Sequence, residues 1–239
     1  SCLMRVNDIP NIRTCIAALK EDIRVETQDK LADLPNQKFI CNPKKTIETD
    51  LLIIGGGPAG LSAAIEAAKL GAKVLIADEN QKLGGQLIKQ THKFFGSKEE
   101  KAGTRGIEIA SILEKEVDKF EKDKRIKIMN NSTVIGYYEG KKDRYKFALV
   151  KRDDNYEGTL FEINTKSVIF ACGAMENMLL FPGNDMPGVY GAGAVQTLMN
   201  VYGVKPGKRV VMVGAGNVGL IVSYQLLQAG INVDRVVEA

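Results

Sequence analysis

Thr49-Asp50-Leu51-Leu52-Ile53-Ile54-Gly55-Gly56-Gly57-Pro58-Ala59-Gly60-Leu61-Ser62-Ala63-Ala64 is the stretch on which the fold turns. An apolar run ends in a glycine cluster, and Ala-rich, helix-forming residues follow as far as Leu70, with Gly71 as a stop. Lys73 to Ala77 is a second apolar run, so residues 49–80 predict strand, glycine turn, helix and strand. The glycines of the G-x-G-x-x-G spacing have separate physical roles. Gly55 permits the sharp turn out of the strand, Gly57 lets backbone approach a pyrophosphate with no Cβ in the way, and Gly60 lets the helix pack close to the strand. The helix N-terminus adds N–H groups and a partial positive charge. Asp78, eighteen residues after Gly60 at the end of the second strand, is placed to accept hydrogen bonds from an adenosine ribose, with Glu79 beside it.

The same physics recurs further along. Arg209 to Val213 reads as a strand, Gly214-Ala215-Gly216-Asn217-Val218-Gly219 as a second loop, and a helix then continues to Gly230 before a strand near Ile231 to Val237. Glu238 stands nineteen residues beyond Gly219. An acid there suits a free ribose 2′-OH and repels a 2′-phosphate, favouring NAD(H) over NADP(H). ADP or ATP fits the same surface, and a nucleotide half-fold with no productive site in this polypeptide is the bland alternative.

Between the loops, Lys98 to Lys124 carries an amphipathic pattern through Ile107, Ile109, Ile112, Leu113, Val117 and Phe120 and predicts one helix, preceded by a loop from His92 to Gly96. Residues 126–169 alternate like strands, with turns at Gly140 to Asp143 and Asp153 to Asn155, which fits a meander inserted near residues 126–164. Ser167 to Gly173 reads as a buried parallel strand ending at a glycine turn. Before the first loop, Leu3 to Asn7 and Ile23 to Thr27 read as short antiparallel strands around turn chemistry at Asn7 to Asn11, and Asn42 to Lys45 as a linker.

Composition removes several function classes. The 33 basic and 29 acidic residues leave a net charge of +4 and are interleaved, as in Lys115-Glu116-Val117-Asp118-Lys119, so a nucleic-acid footprint is not expected. No apolar run approaches a membrane span and no signal layout opens the chain, so we expect a cytoplasmic protein. Ser1 at the start and Ala239 just after a strand-like run read as cut ends. Cys2, Cys15, Cys41 and Cys172 have no C-x-x-C spacing, which argues against disulfide-reductase chemistry, a disulfide framework and a Cys/His metal site. Tyr137, Tyr138 and Tyr145 suit cross-strand packing better than base stacking. His92, the sole histidine, stands near Phe94-Phe95 and Gly96, where it could stabilise charge on a reduced ring system near neutral pH; ordinary solvent or packing contacts are the competing reading.

Pro58-Ala59 inside the first loop, Leu83-Gly84-Gly85-Gln86-Leu87 after the second strand, and Ala171-Cys172-Gly173-Ala174-Met175-Glu176-Asn177 resemble the pattern of two-dinucleotide-binding flavoproteins, in which the last two segments flank the flavin. With Phe181 to Val189 and the second loop, they look like the alpha subunits of the sarcosine oxidase, hydrogen cyanide synthase and dye-linked proline dehydrogenase group. The resemblance implies FAD at the first loop, held by Gly55, Gly57, Pro58, Ala59, Gly60, Asp78, Glu79, Gly84, Gly85, Gln86, Leu87, Val134, Ala171, Cys172 and Gly173. It implies NAD(H) or ADP/ATP at Gly214, Gly216, Asn217, Val218, Gly219 and Glu238. Many of those proteins carry Thr where this chain has Cys172, which we read as a small buried hydrophobe in preference to a redox thiol. The family often carries a plant-type [2Fe-2S] domain, and Cys2 with Cys15 resembles the last two of its four ligands; a domain that lost its cluster and unrelated cysteines are the alternatives.

The expectation is therefore an α/β, Rossmann-like two-dinucleotide-binding flavoprotein fold with a β-meander insertion and a remnant of a small β-rich, ferredoxin-like domain. Its divisions are residues 1–45 for that remnant with a linker, 46–204 for the FAD-binding domain, and 205–239 for the first half of a second nucleotide domain. The implied function is an FAD-dependent oxidoreductase subunit relaying electrons in an amine or amino-acid dehydrogenase or oxidase complex, partnered by an amine-oxidising subunit and an electron-transfer subunit. A stand-alone NADH:acceptor oxidoreductase and a non-catalytic nucleotide-binding assembly subunit are the rivals.

Overall fold

A computed structural model describes residues 3–15, 17, 22–33, 45–93, 96–99, 101–140, 143–153 and 158–238. The chain divides into two units, Ser1–Asn42 and Pro43–Ala239.

The first unit is a three-stranded antiparallel sheet in the order β2-β1-β3, formed by β1 (Leu3–Val6), β2 (Ile9–Arg13) and β3 (Val25–Thr27). Val6 pairs with Ile9, so Asn7 and Asp8 alone make the hairpin loop, both at positive φ (46° and 66°). Two left-handed residues are what a type I′ hairpin requires, and Asn and Asp tolerate that region. The turn is thus two residues, where the sequence suggested five. Pro10 is accommodated because β2 is an edge strand. The predicted linker from Asn42 falls mostly outside the described residues.

The second unit is built on β4 (Lys45–Ile54), α1 (Pro58–Lys69), β5 (Val74–Ala77), a 3-10 turn (Gly85–Lys89), α2 (Gly106–Lys122), β6 (Ile126–Met129), β7 (Ser132–Tyr138), β8 (Tyr145–Arg152) and β9 (Gly158–Phe170). Their six strands form one sheet in the order β6-β5-β4-β9-β8-β7. Strands β6, β5, β4 and β9 run parallel, and β9, β8 and β7 are antiparallel. The mixed sheet bears out the Rossmann-like fold with a meander, and β6 joins its parallel side. Alternation decides the layers. Leu51 and Ile53 turn to one face and pack with Leu61, Ala64, Ile65, Ile109, Leu113 and Val117 of α1 and α2. Leu52 turns to the other face with Leu75, Met129, Phe147, Leu149 and Ile163. Tyr137 packs between Tyr145 and Phe147, with centroids 6.2 and 5.3 Å away, as expected for cross-strand aromatics.

Two expectations need correction. Helix α2 begins at Gly106, eight residues later than its pattern suggested, because Lys101 and Gly103 have positive φ (62° and 81°) and interrupt any helix there. Glu108 then accepts a hydrogen bond from the Arg105 N–H at 3.2 Å, one half of a capping box. The end of β9 is parallel to β4 as anticipated but is not buried: Ile169 is 38% and Phe170 67% exposed. Pairing with β8 stops at Thr165, so from Lys166 onward β9 is an edge.

Downstream come α3 (Ala192–Gln196), a π-helical turn (Thr197–Val201), β10 (Arg209–Val213), α4 (Asn217–Gln228) and β11 (Asn232–Val237). Strands β10 and β11 pair in parallel, with Met212, Val222, Leu226 and Ile231 as their core. Among the described residues, no helix is long and apolar enough to cross a membrane.

Candidate functional site

Three stretches far apart in sequence meet at the end of β4. The Ala171 N–H donates to the Ile54 carbonyl at 2.8 Å and the Gly84 N–H to the Gly56 carbonyl at 2.8 Å. The first glycine loop, Leu83–Gly85 and the turn Ala171–Gly173 therefore share one backbone junction. Gly55 sits at φ +109° and so close to Ala171 that a Cβ would lie 2.3 Å from the Ala171 oxygen. At Gly60, a Cβ would lie 1.9 Å from the Gly55 oxygen, which locks the start of α1 onto the loop. Gly57 differs, since a Cβ there would meet nothing nearer than the Gly85 Cα at 3.9 Å. Packing of the protein does not demand this glycine, and a ligand's close approach gives it a reason.

Asp78 is 6% exposed and organises the loop through both oxygens. Its Oδ2 accepts from the Gly56 N–H at 2.5 Å, and its Oδ1 accepts from the Asn80 N–H and Nδ2 at 2.7 and 3.0 Å. Carboxylate oxygens carry spare lone pairs, so a ribose hydroxyl can still be received. Sequence reading missed Asn80, although an Asp followed two residues later by a backbone donor is the Asx-turn spacing and gave a signal. Glu79 is exposed beside it.

Other anticipated residues scatter by role. Gln86 is exposed on the 3-10 turn, whereas Leu87 is buried in the core beneath α1 and α2. Val134 is half-buried on β7, against the cluster on the opposite face of the sheet. Cys172 is exposed, with Sγ 3.6 Å from the Ile54 carbonyl, which corrects the expectation of a buried thiol; the turn leaves β9 where that strand is already an edge. His92 Nδ1 is enclosed without a hydrogen-bond partner, as are Asn130 Oδ1 and Ser223 Oγ. Buried polar atoms of this kind are unusual unless something else completes them. Phe94 and Phe95 lie outside the described residues, as does Cys2. Cys15 is exposed after β2. Among the described residues no group of three or more His, Cys, Asp or Glu side chains converges.

A remote cap, unsuspected from sequence, holds the crossover after Gly173. Glu176 accepts from the Ala192 and Gly193 N–H groups at 2.8 and 2.9 Å, at the start of α3. Behind the 3-10 turn, a cleft of about 240 Å³ is lined by Lys82, Ile88, Ile107, Ser111, Glu114 and Asn200. Partial burial and the neighbouring Asp118 push the Glu114 carboxyl up, against an opposing pull from Lys82.

The second loop repeats the first in detail. The Gly214 N–H donates to the Val237 carbonyl at 2.7 Å, as the Gly55 N–H does to that of Ala77 at 2.8 Å. Glu238 accepts from the Ala215 N–H, the counterpart of Asp78 and Gly56. A Cβ at Gly219 would lie 2.0 Å from the Gly214 oxygen, while one at Gly216 would meet nothing within 4 Å. Asn217 and Val218 are exposed on the first turn of α4.

Two strand–glycine–helix units, each with an acid returned to its own loop, and a meander beside the first, define the class: a Rossmann-like, two-dinucleotide-binding fold. The chain belongs to the pyridine nucleotide-disulphide oxidoreductase family, whose model matches residues 49–239. It is 30% identical to the sarcosine oxidase subunit alpha of Rhizobium meliloti (strain 1021) over 82% of this chain and 19% of that protein. It is 32% identical to the hydrogen cyanide synthase subunit HcnB of Pseudomonas protegens over 79% of this chain and 38% of that one. The crystal structure of L-proline dehydrogenase from P. horikoshii superimposes with a TM-score of 0.70 at 27% identity, covering 99% of this chain and 43% of that one. These relatives bear out the resemblance read from the motifs, and the chain spans less than half of each.

Proposed function

We propose that the first loop binds FAD and that the chain is the FAD-binding part of an oxidoreductase subunit relaying electrons in an amine or amino-acid dehydrogenase or oxidase complex. The observation that carries this reading is the junction of Gly55–Gly60, Leu83–Gly85 and Ala171–Gly173, with room for a Cβ at Gly57, 3.9 Å from the nearest atom it would meet. The relatives' names, sarcosine oxidase, hydrogen cyanide synthase and L-proline dehydrogenase, support the substrate class and the multisubunit setting.

In this reading the α1 N-terminus and the Gly57 backbone receive the pyrophosphate, Asp78 receives the ribose, and Leu83–Gly85 and Ala171–Gly173 border the flavin side. Bound FAD supplies reversible two-electron chemistry, and the protein supplies position, electrostatics and exclusion of water. His92 Nδ1 is a hydrogen-bonding atom already shielded from solvent and ready for a polar partner. The second loop takes an adenine nucleotide, with Glu238 favouring a free 2′-hydroxyl.

The test is the visible spectrum of the purified protein, followed by anaerobic addition of NADH. Bound flavin that NADH leaves oxidised supports the relay, bleaching supports an NADH-oxidising subunit, and absence of flavin overturns the proposal in favour of a nucleotide-binding assembly role.

A further inference from the structure

Two glutamines meet where the second nucleotide unit rests on the segment that leads away from the first. Gln225 on α4 is 3% exposed, and Gln196 at the end of α3 is 9% exposed. Gln196 Nε2 donates to Gln225 Oε1 at 3.0 Å, and Gln225 Nε2 donates to Thr91 Oγ1 at 2.9 Å. Close by in sequence, Asn200 Nδ2 donates to the Lys89 carbonyl at 2.7 Å. Lys89 and Thr91 continue directly from Gly84–Gly85, and a Cβ on Gly85 would lie 2.9 Å from the Gly57 Cα.

Apolar side chains would hold the two units together more cheaply, because buried amides lose water and recover it only through full pairing. What a chain of paired amides adds is direction, since each bond tolerates little change in angle or distance. The chain also has the right ends. Helix α4 is a stiff rod whose first turn is the anion-facing end of the Gly214–Gly219 loop and whose body carries Gln225, about 12 Å along its axis from Asn217 at 1.5 Å per residue. A small displacement of α4 is therefore delivered to Thr91.

We propose that Gln225 is a positioning residue: through Gln196 and Thr91 it couples an adenine nucleotide at the Gly214–Gly219 loop to the conformation of the Gly84–Thr91 segment beside the first loop. This rests on the reading that the second loop takes such a nucleotide. The relay is reversible. In Gln196→Glu the carboxylate accepts from Gln225 Nε2, the Gln225 amide turns over, and its oxygen accepts from the Thr91 hydroxyl.

Hydrogen–deuterium exchange of the whole chain with and without ADP tests this. In the unaltered protein, ADP slows exchange at residues 214–220 and, on the order of fivefold, at residues 85–91. Gln225→Leu and Thr91→Val keep the first response and lose the second, while Gln196→Glu keeps both. Thr91→Val leaves the glutamine pair intact and carries the test if Gln225→Leu does not fold. A response at 85–91 that survives in Thr91→Val overturns the coupling, as does its absence from an unaltered protein whose residues 214–220 respond. ADP without effect at 214–220 overturns the nucleotide reading of the second loop and the coupling with it.

Discussion

A single methyl group separates the two purposes of glycine in the first loop. Gly57 has ordinary backbone (φ −75°) and room for a Cβ, whereas Gly60 has no room at all. Gly57→Ala should therefore melt like the unaltered protein yet lose FAD, while Gly60→Ala should lose about 1–3 kcal/mol of stability through overpacking. Thermal melts alongside flavin-to-protein ratios read both outcomes, and equal melting of the two variants would refute the distinction. Asp78 is a second residue-scale test. Asp78→Asn replaces an accepting oxygen with a donor opposite the Gly56 N–H or the Asn80 donors, which should cost about 1–3 kcal/mol in urea denaturation even without cofactor. At this scale the chain was easy to read, because Gly55, Gly57, Gly60 and Asp78 act through spacing along one strand–turn–helix. Asn80 was also within reach. The enclosure of His92 Nδ1 was not, since it depends on whatever packs over the loop.

At the scale of elements, legibility followed locality. Helix α1 has Pro58 at its first turn and Gly71 at positive φ just past its end, and its limits came out within a residue of the pattern. Helix α2 did not, because the positive φ of Lys101 and Gly103 is set by tight turns that periodicity cannot register. The exposed end of β9 depends on where β8 stops, and the bond between Gln225 and Thr91 joins residues 134 apart. Helix α2 also makes a pH-dependent prediction. The Glu114 carboxyl is raised chiefly by burial and then by Asp118, so its ionised form weighs against the fold. The folded state thus favours the protonated group, and stability is lost as pH rises past the usual carboxylate range. Glu114→Gln should stabilise the protein near neutrality by at most about 1 kcal/mol, given partial solvent screening, and the advantage should fade near pH 4. Melting temperatures at the two pH values check it.

Over the whole molecule, the strand ladder is tied at its base by charge. Asp50 on β4 is held by Lys166 on β9 at 2.8 Å and by the Lys73 N–H at 3.0 Å, the end from which β5 starts. Lys166 first, and the Lys73 N–H second, hold the Asp50 carboxyl below the usual range. The stability this contributes is present above the unfolded value of about 3.9 and is lost as pH falls through the lower folded one. Lys166→Met should therefore unfold at a higher pH in an acid titration followed by circular dichroism, and an unmoved midpoint would count against the linkage. The long pairing of β4 with β9 has a consequence in time. Asn164 on β9 bonds to Glu48 on β4 at 3.0 Å across 116 residues of chain. At roughly 5–20 residues per second, a ribosome makes β4 some 6–23 seconds before its partner exists. Until then β4 has one neighbour and an open edge, the kind of strand that recruits the wrong chain. Nascent chains arrested before Gly158 should yield to protease across residues 45–77, and chains arrested with β9 fully outside the ribosome should resist, making strand nine the event that ends the vulnerable phase of synthesis.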